Sequence, residues 1–330
     1  MSTPGVTTRP SLPTTRSTNE NAQLATGNAL LTITHQAIGK QRRPAVTSFA
    51  SVDELTTALN GVDYLVDEGL ATALYLAQSL GQPLLLEGEP GVGKTAAAKA
   101  MANALDTPLL RLQCYEGIAA NEALYEWNYP RQLLAIRMSE TDGQKLTDAD
   151  LFTDDYLVER PLLAALRHRG QTPAVVLIDE IDRADDEFEA LLFEFLGEQS
   201  ITIPELGTIG AVTAPIVVLT SNRSRELHDA LKRRCLYHWI DYPEIDRAAQ
   251  IVRRNVPHAD EALIAAATAF VGDARERGLD KPPGLSETID WVSALMVLGV
   301  SLVDQNAMRT LGSLAKTPDD VALLQQVLGS

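Results

Sequence analysis

Pro83–Thr95 reads PLLLEGEPGVGKT. Leu84, Leu85 and Leu86 make a short apolar run that ends at a turn of glycines and proline, which suits a strand buried on both faces of a parallel sheet. Behind it, Gly88-x-x-x-x-Gly93-Lys94-Thr95 has the spacing of a phosphate-binding loop. The candidate contacts are Gly88, Glu89, Pro90, Gly91, Val92, Gly93, Lys94, Thr95 and Ala96. Glycines leave room for backbone N–H groups to turn inward on phosphate oxygens, Lys94 supplies a point charge, and the Thr95 hydroxyl can ligate Mg2+. The alanine-rich segment 96–105 reads as a helix whose N-terminus faces the phosphates. A chance glycine-rich turn would not be flanked by strand and helix in the required order. The stretch therefore points to a bound nucleoside triphosphate with Mg2+.

Working outward, Val52, Leu55 and Leu59, then Leu70, Leu74, Ala77 and Leu80, have helical spacing and lead into the loop strand. Leu109–Gln113, Ala174–Asp179, Pro215–Ser221 and Leu236–Ile240 are further strands, with helices expected over 155–169 and 185–197. Ile201–Ile209 alternates around Pro204 and Gly207 and reads as a hairpin. Past Pro243 the signals are purely helical, over 245–254, 261–277, 287–303 and 319–328. Strands alternating with helices, then helices alone, predict an α/β parallel sheet of five strands followed by a small all-helical domain. The boundaries expected are a disordered tail over 1–47, rich in Ser, Thr, Pro, Asn and Gln, an αβα domain over 48–242, and the helical part over 243–330. Lys40–Arg43 is a small basic patch within that tail.

A second constellation lies at Val175-Val-Leu-Ile-Asp179-Glu180, a hydrophobic strand with two acids at its carboxyl end. Open α/β sheets place ligands at that edge. Asp179, with Thr95, is the natural Mg2+ holder, and Glu180 can polarise a water for in-line attack on a γ-phosphate. A solvated acidic turn would be the plain reading of these acids alone; some 80 residues after a phosphate loop, the catalytic reading is the stronger. Asn222 ends the strand Val217–Ser221 and could orient that water, although Ser-Asn is also ordinary turn chemistry. Lys232, Arg233 and Arg234 precede the last strand. Cations there suit a helix C-terminus; the sharper reading is an arginine finger for a neighbouring subunit.

Composition excludes several classes. The 330 residues carry 28 Lys and Arg against 44 Asp and Glu, a net charge of −16, which disfavours a nucleic-acid partner. Cys114 and Cys235 lie far apart with no CxxC pattern, so no disulfide framework or zinc site is expected, as suits a reducing cytoplasm. No apolar run approaches the ~18 residues of a membrane span, and the N-terminus lacks a secretory apolar region.

Together these elements resemble an AAA+ ATPase, with Walker A at Gly88–Thr95, Walker B at Asp179–Glu180, sensor 1 at Asn222 and finger candidates at Arg233 and Arg234. The resemblance narrows to the MoxR family of chaperone-like AAA+ ATPases, in particular the branch associated with carbon monoxide dehydrogenase maturation. It rests on LLLEGEPGVGKT, RLQCYEG at Arg111–Gly117, LYEWNYPRQLL at Leu124–Leu134 and VLIDEIDRADDEFEALLFEFL at Val176–Leu196. ALKRRCLYHWIDYP at Ala230–Pro243 and KPPGLSETIDW at Lys281–Trp291 complete it. It runs from about Ala50 to the C-terminus. It implies ATP and Mg2+, a homo-oligomeric ring, usually a hexamer, and a helical lid over each site. It also implies inserts at Leu124–Met138 and Gln199–Ala214 that remodel clients, a partner bearing a von Willebrand A domain, and metal-cofactor insertion into an enzyme such as a molybdenum hydroxylase. The family's sensor 2 arginine has no counterpart in Gly284-Leu285-Ser286-Glu287, and no residue is assigned that role. The competing readings are a nucleic-acid motor or loader and a monomeric P-loop kinase. A GTPase lacks its Asn-Lys-x-Asp here.

Overall fold

The computed structural model describes residues 48–141 and 145–329. The expected tail over 1–47, with its Lys40–Arg43 patch, lies outside the described residues. Among the described residues nine strands form, in chain order: β1 Leu84–Gly88, β2 Leu109–Gln113, β3 Tyr125–Trp127, β4 Leu157–Glu159, β5 Val175–Asp179, β6 Ser200–Ile203, β7 Gly207–Gly210, β8 Ile216–Ser221 and β9 Leu236–Ile240. Five of them make a sheet in the order β2-β5-β8-β1-β9, every pair parallel, as the apolar runs predict.

Side chains alternate across a strand, and both faces of this sheet are covered. On one face Leu84, Leu86, Val175, Leu177 and Val218 meet Leu55, Leu59, Leu70, Leu74, Ala97 and Met101 from helices Val52–Asn60, Glu68–Leu80 and Lys94–Leu105. On the other, Leu85, Val176, Ile178, Val217 and Leu219 meet Leu162, Leu163, Phe188, Leu192 and Phe195 from helices Pro161–Leu166 and Asp186–Glu198. That is why the strands read as continuous apolar runs rather than alternating ones. Strand register sets Leu84 level with Val218 and Leu236, and Gln113 level with Asp179, so Gly88, Gln113, Asp179 and Ser221 all emerge at one edge.

A third apolar cluster is built wholly from residues 248–324. Helices Ile245–Asn255, Glu261–Arg275, Leu285–Leu298 and Pro318–Leu328 surround the buried Trp291, whose indole N–H donates to Thr310 Oγ1 at 2.7 Å. Two expectations are corrected here. The segment 155–169 is not one helix: a 3-10 turn and β4, paired antiparallel with β3, precede the short helix Pro161–Leu166. Pro161 drives Arg160 into extended backbone (φ −96°, ψ 171°), so the helix can only start there. The helix expected to run to Val303 stops at Leu298, where Gly299 takes the left-handed conformation (φ 63°) and closes the end. Val303 is 95% exposed. The hairpin within Gln199–Ala214 forms as β6 and β7. In the other insert, β3 leads into helix Tyr129–Thr141, which exposes Tyr129, Leu133, Leu134 and Met138.

Candidate active site

β1 delivers the chain into the loop Gly88–Thr95. A Cβ at Gly88 would stand 2.4 Å from the Ile240 carbonyl oxygen, so only glycine fits beside β9. Gly91 has φ 78°, and a Cβ there would meet Glu287 Oε2 at 2.8 Å. Around Gly93, by contrast, no described residue beyond its immediate chain neighbours and its own helix comes within 4 Å of the Cβ position, leaving open space at the start of helix Lys94–Leu105. Lys94 is buried, and its ammonium donates to the carbonyls of Gly88 (2.7 Å) and Glu89 (2.8 Å). Burial lowers its proton affinity, while Asp182, Glu89, Asp179 and Glu180 act in the opposite sense. The charge nearest the loop is thus held by two carbonyls that a phosphate could replace.

Thr95 and Asp179, 84 positions apart, meet directly: Thr95 Oγ1 donates to Asp179 Oδ1 at 3.0 Å. Thr220 Oγ1 donates to the same oxygen at 2.6 Å. Asp179 Oδ2 accepts from Arg111 Nε (3.0 Å) and Nη2 (2.6 Å). The hydroxyl and carboxylate are the hard oxygen donors Mg2+ prefers. Among the described residues no group of three or more His, Cys, Asp or Glu converges, so an ion here would take its remaining ligands from phosphate and water. The donor set fits Mg2+ carried by a nucleotide.

Glu180 has left-handed backbone (φ 55°, ψ 51°), an uncommon conformation for a residue with a side chain. Its N–H donates to Thr220 Oγ1 at 2.9 Å, and its carboxylate accepts from Gln113 Nε2 (3.0 Å) and Arg183 (3.1 Å). Asn222 N–H donates to Asp182 Oδ2 at 3.2 Å; Ser224 N–H and Oγ reach the same oxygen at 2.8 and 2.7 Å. Asp182 is 2% exposed and ties the turn after β8 to the turn after β5. Arg111, Gln113, Thr220 and Asp182 were not among the sequence-derived site residues.

Arg233 and Arg234 do not join this group. They precede β9, whose first residue is level with Leu84, whereas Gly88 is level with Ile240. Four residues of strand, roughly 13 Å, separate the two edges of the sheet. Arg234 lies over the Phe193 ring at 4.8 Å and donates to the Ala230 carbonyl at 2.8 Å; Arg233 is largely exposed. What fixes the segment between Asn222 and these cations is Glu189, fully buried, which accepts from Arg225 and from His228 N–H at 3.0 Å. Glu189→Ala removes the acceptor of the His228 N–H and of Arg225, which keeps the Ala184 carbonyl and Asp186 at 3.4 Å. Losing hydrogen bonds to a charged group costs about 1.5–3 kcal/mol. At roughly 2–4 °C per kcal/mol for a chain of this size, thermal unfolding should shift down by about 3 °C or more. An unchanged midpoint by circular dichroism would show the pair to be dispensable.

Beside the loop opens a cavity of about 720 Å³, lined by Val62–Leu65, Gly91–Gly93, Asp241–Glu244, Arg247, Leu285, Ser286 and Ile289 among others. The Leu285 N–H donates to the Gly91 carbonyl at 3.0 Å, so the helix Leu285–Leu298 starts against the loop. Ser286 lines the cavity where a sensor 2 arginine is absent from the sequence. Arg275 instead stacks on Tyr242 at 4.1 Å and donates to the Pro283 carbonyl at 2.7 Å.

Residues 83–235 match the family model described as AAA domain (dynein-related subfamily). An uncharacterized protein of Staphylococcus haemolyticus is 24% identical over 226 residues, covering 67% of this chain and 78% of its own. One from Staphylococcus saprophyticus is 21% identical over 243 residues, covering 70% and 82%. Among solved structures, a RuvB mutant of Thermotoga maritima covers 86% of this chain and 72% of its own, at 19% identity and a TM-score of 0.42.

Proposed function

We propose that the chain, whose residues 83–235 match the AAA domain model, is a Mg2+-dependent ATPase of the MoxR kind that assembles into a ring, hexameric as in that family, and remodels a protein partner. The observation that carries it is the direct contact of Thr95 with Asp179 at the carboxyl ends of the strands, two residues beyond the open space at Gly93. In this reading the segment 48–242 binds the triphosphate and 243–330 is its lid. Lys94 leaves the Gly88 and Glu89 carbonyls for phosphate oxygens, and Thr95 and Asp179 hold Mg2+, which neutralises phosphate charge. Glu180 accepts a proton from the attacking water, which Asn222 orients, and Arg234 or Arg233 reaches the neighbouring subunit's site. The client would be a metalloenzyme receiving its cofactor, a molybdenum hydroxylase being the expected type, with a von Willebrand A domain protein as co-worker and the cytoplasm as the place. Among the described residues no helix is long and apolar enough to cross a membrane.

Phosphate release from ATP, in Mg2+ and in EDTA, tests the reading. Release should require Mg2+ and rise with the protein partner but not with duplex or single-stranded DNA. Stimulation by DNA alone would favour a motor or loader, and transfer of phosphate to a metabolite would favour a kinase.

A further inference from the structure

Both carboxylate oxygens of Asp179 have partners within the chain. Thr95 and Thr220 fill Oδ1, and the Arg111 guanidinium holds Oδ2 with two N–H groups. A buried carboxylate needs a counter-ion or it costs stability. Here the two partners differ in freedom: the Asp179 side chain is 3% exposed, that of Arg111 48%. Arg111 stands on β2, the edge strand of the sheet, so its head is half in water and can leave while the carboxylate cannot. It also donates to Gln113 Oε1, which gives a released guanidinium a neighbouring acceptor.

We propose that Arg111 is an exchangeable counter-ion of Asp179: it neutralises the carboxylate in the nucleotide-free protein and is displaced when Mg2+ arrives with the triphosphate. The inference rests on the reading of Thr95 and Asp179 as the Mg2+ holders. A guanidinium and a divalent cation on one buried carboxylate repel each other through little solvent, so the first must yield to the second. Arg111 is therefore a positioning residue that weakens the advantage Mg2+ gives to nucleotide binding. Its loss acts on both sides of that linkage. Without Mg2+, a triphosphate meets an uncompensated Asp179 and binds less well; with Mg2+, no resident cation has to be moved. A fixed strut that merely holds Asp179 in place predicts the opposite sign, because a looser carboxylate would hold Mg2+ less well.

The measurement is equilibrium binding of a fluorescent, non-hydrolysable ATP analogue, once in EDTA and once in saturating Mg2+ at matched ionic strength. The ratio of the two dissociation constants should be about tenfold larger in Arg111→Met than in the parent, the scale of a charge-assisted bidentate contact at a half-exposed site. Arg111→Lys keeps the charge without the fork and should fall between. Circular dichroism checks folding, and if Arg111→Met does not fold, a ratio for Arg111→Lys above the parent's decides the matter. A ratio that stays constant or drops overturns the exchange. If the parent binds the analogue with Mg2+ dependence but the ratio does not move, only the role of Arg111 falls. If the parent binds no analogue in either condition, the nucleotide reading falls with it.

Discussion

Lys94→Ala should bind no ATP, whereas Glu180→Gln should bind ATP and fail to hydrolyse it. The two side chains stand at opposite ends of the same chemistry. Lys94 is the buried cation of the loop, donating to the Gly88 and Glu89 carbonyls, and its removal takes away the charge that offsets the phosphates. Bringing a triphosphate to a part-buried site without a counter-charge is unfavourable, so binding itself is lost. Glu180→Gln keeps the size and shape of the side chain, and its amide oxygen can still accept from Gln113 and Arg183. The left-handed backbone at this position places no β-branch demand that glutamine fails to meet. What changes is the ability to take a proton from water. Removing a contributor of that kind should lower turnover ~10²-fold or more while leaving the dissociation constant near the parent's. Equilibrium binding and single-turnover phosphate release separate the two effects. Parent-rate hydrolysis by Glu180→Gln would remove Glu180 from the chemistry, and tight binding by Lys94→Ala would move the phosphates elsewhere.

The parts of this arrangement legible in the sequence are the contiguous ones. The loop from Gly88 to Thr95 and the pair Asp179–Glu180 each sit in one unbroken stretch behind a strand buried on both faces, so local pattern is sufficient to find them. The five sheet strands were readable for the same reason. Arg111, Gln113 and Thr220 belong to the site only through register, which sets Gln113 level with Asp179 and ends β8 beside β5. No spacing along the chain encodes that. Asp182 belongs to no motif of its own in the sequence, yet it is buried and spans two loop turns. The cavity wall draws on the segments near residues 64, 92, 243 and 286, which only the fold brings together. The errors in secondary structure have local causes. Apolar periodicity outvoted Pro161 in one place and Gly299 in the other, although both residues carry stronger stop-and-start signals than the pattern they interrupt.

Mixing Arg234→Ala with Lys94→Ala subunits should restore hydrolysis that neither variant has alone. Within its own chain Arg234 is on the wrong edge of the sheet for the loop, held over Phe193 and bonded to the Ala230 carbonyl. A catalytic role for it therefore requires a second subunit whose loop edge faces this one's β9 entry. Arg234→Ala should then bind ATP near normally and hydrolyse it poorly. Loss of the Phe193 contact at an exposed site costs only about 0.5–1 kcal/mol, so a folding defect is not the expected cause. In a mixed ring, some interfaces join an intact Lys94 loop to an intact Arg234. A finger acting in trans can supply ~10³-fold or more in turnover, so even sparse repaired interfaces stand out above two inactive backgrounds. Arg233→Ala, at a residue that is mostly exposed and only 3.9 Å from Asp229, run through the same mixing, assigns the role between the two cations. If subunits demonstrably mix and activity does not return for either variant, both arginines serve only the end of their own short helix. The case for catalysis between subunits would then have to rest on residues outside this segment.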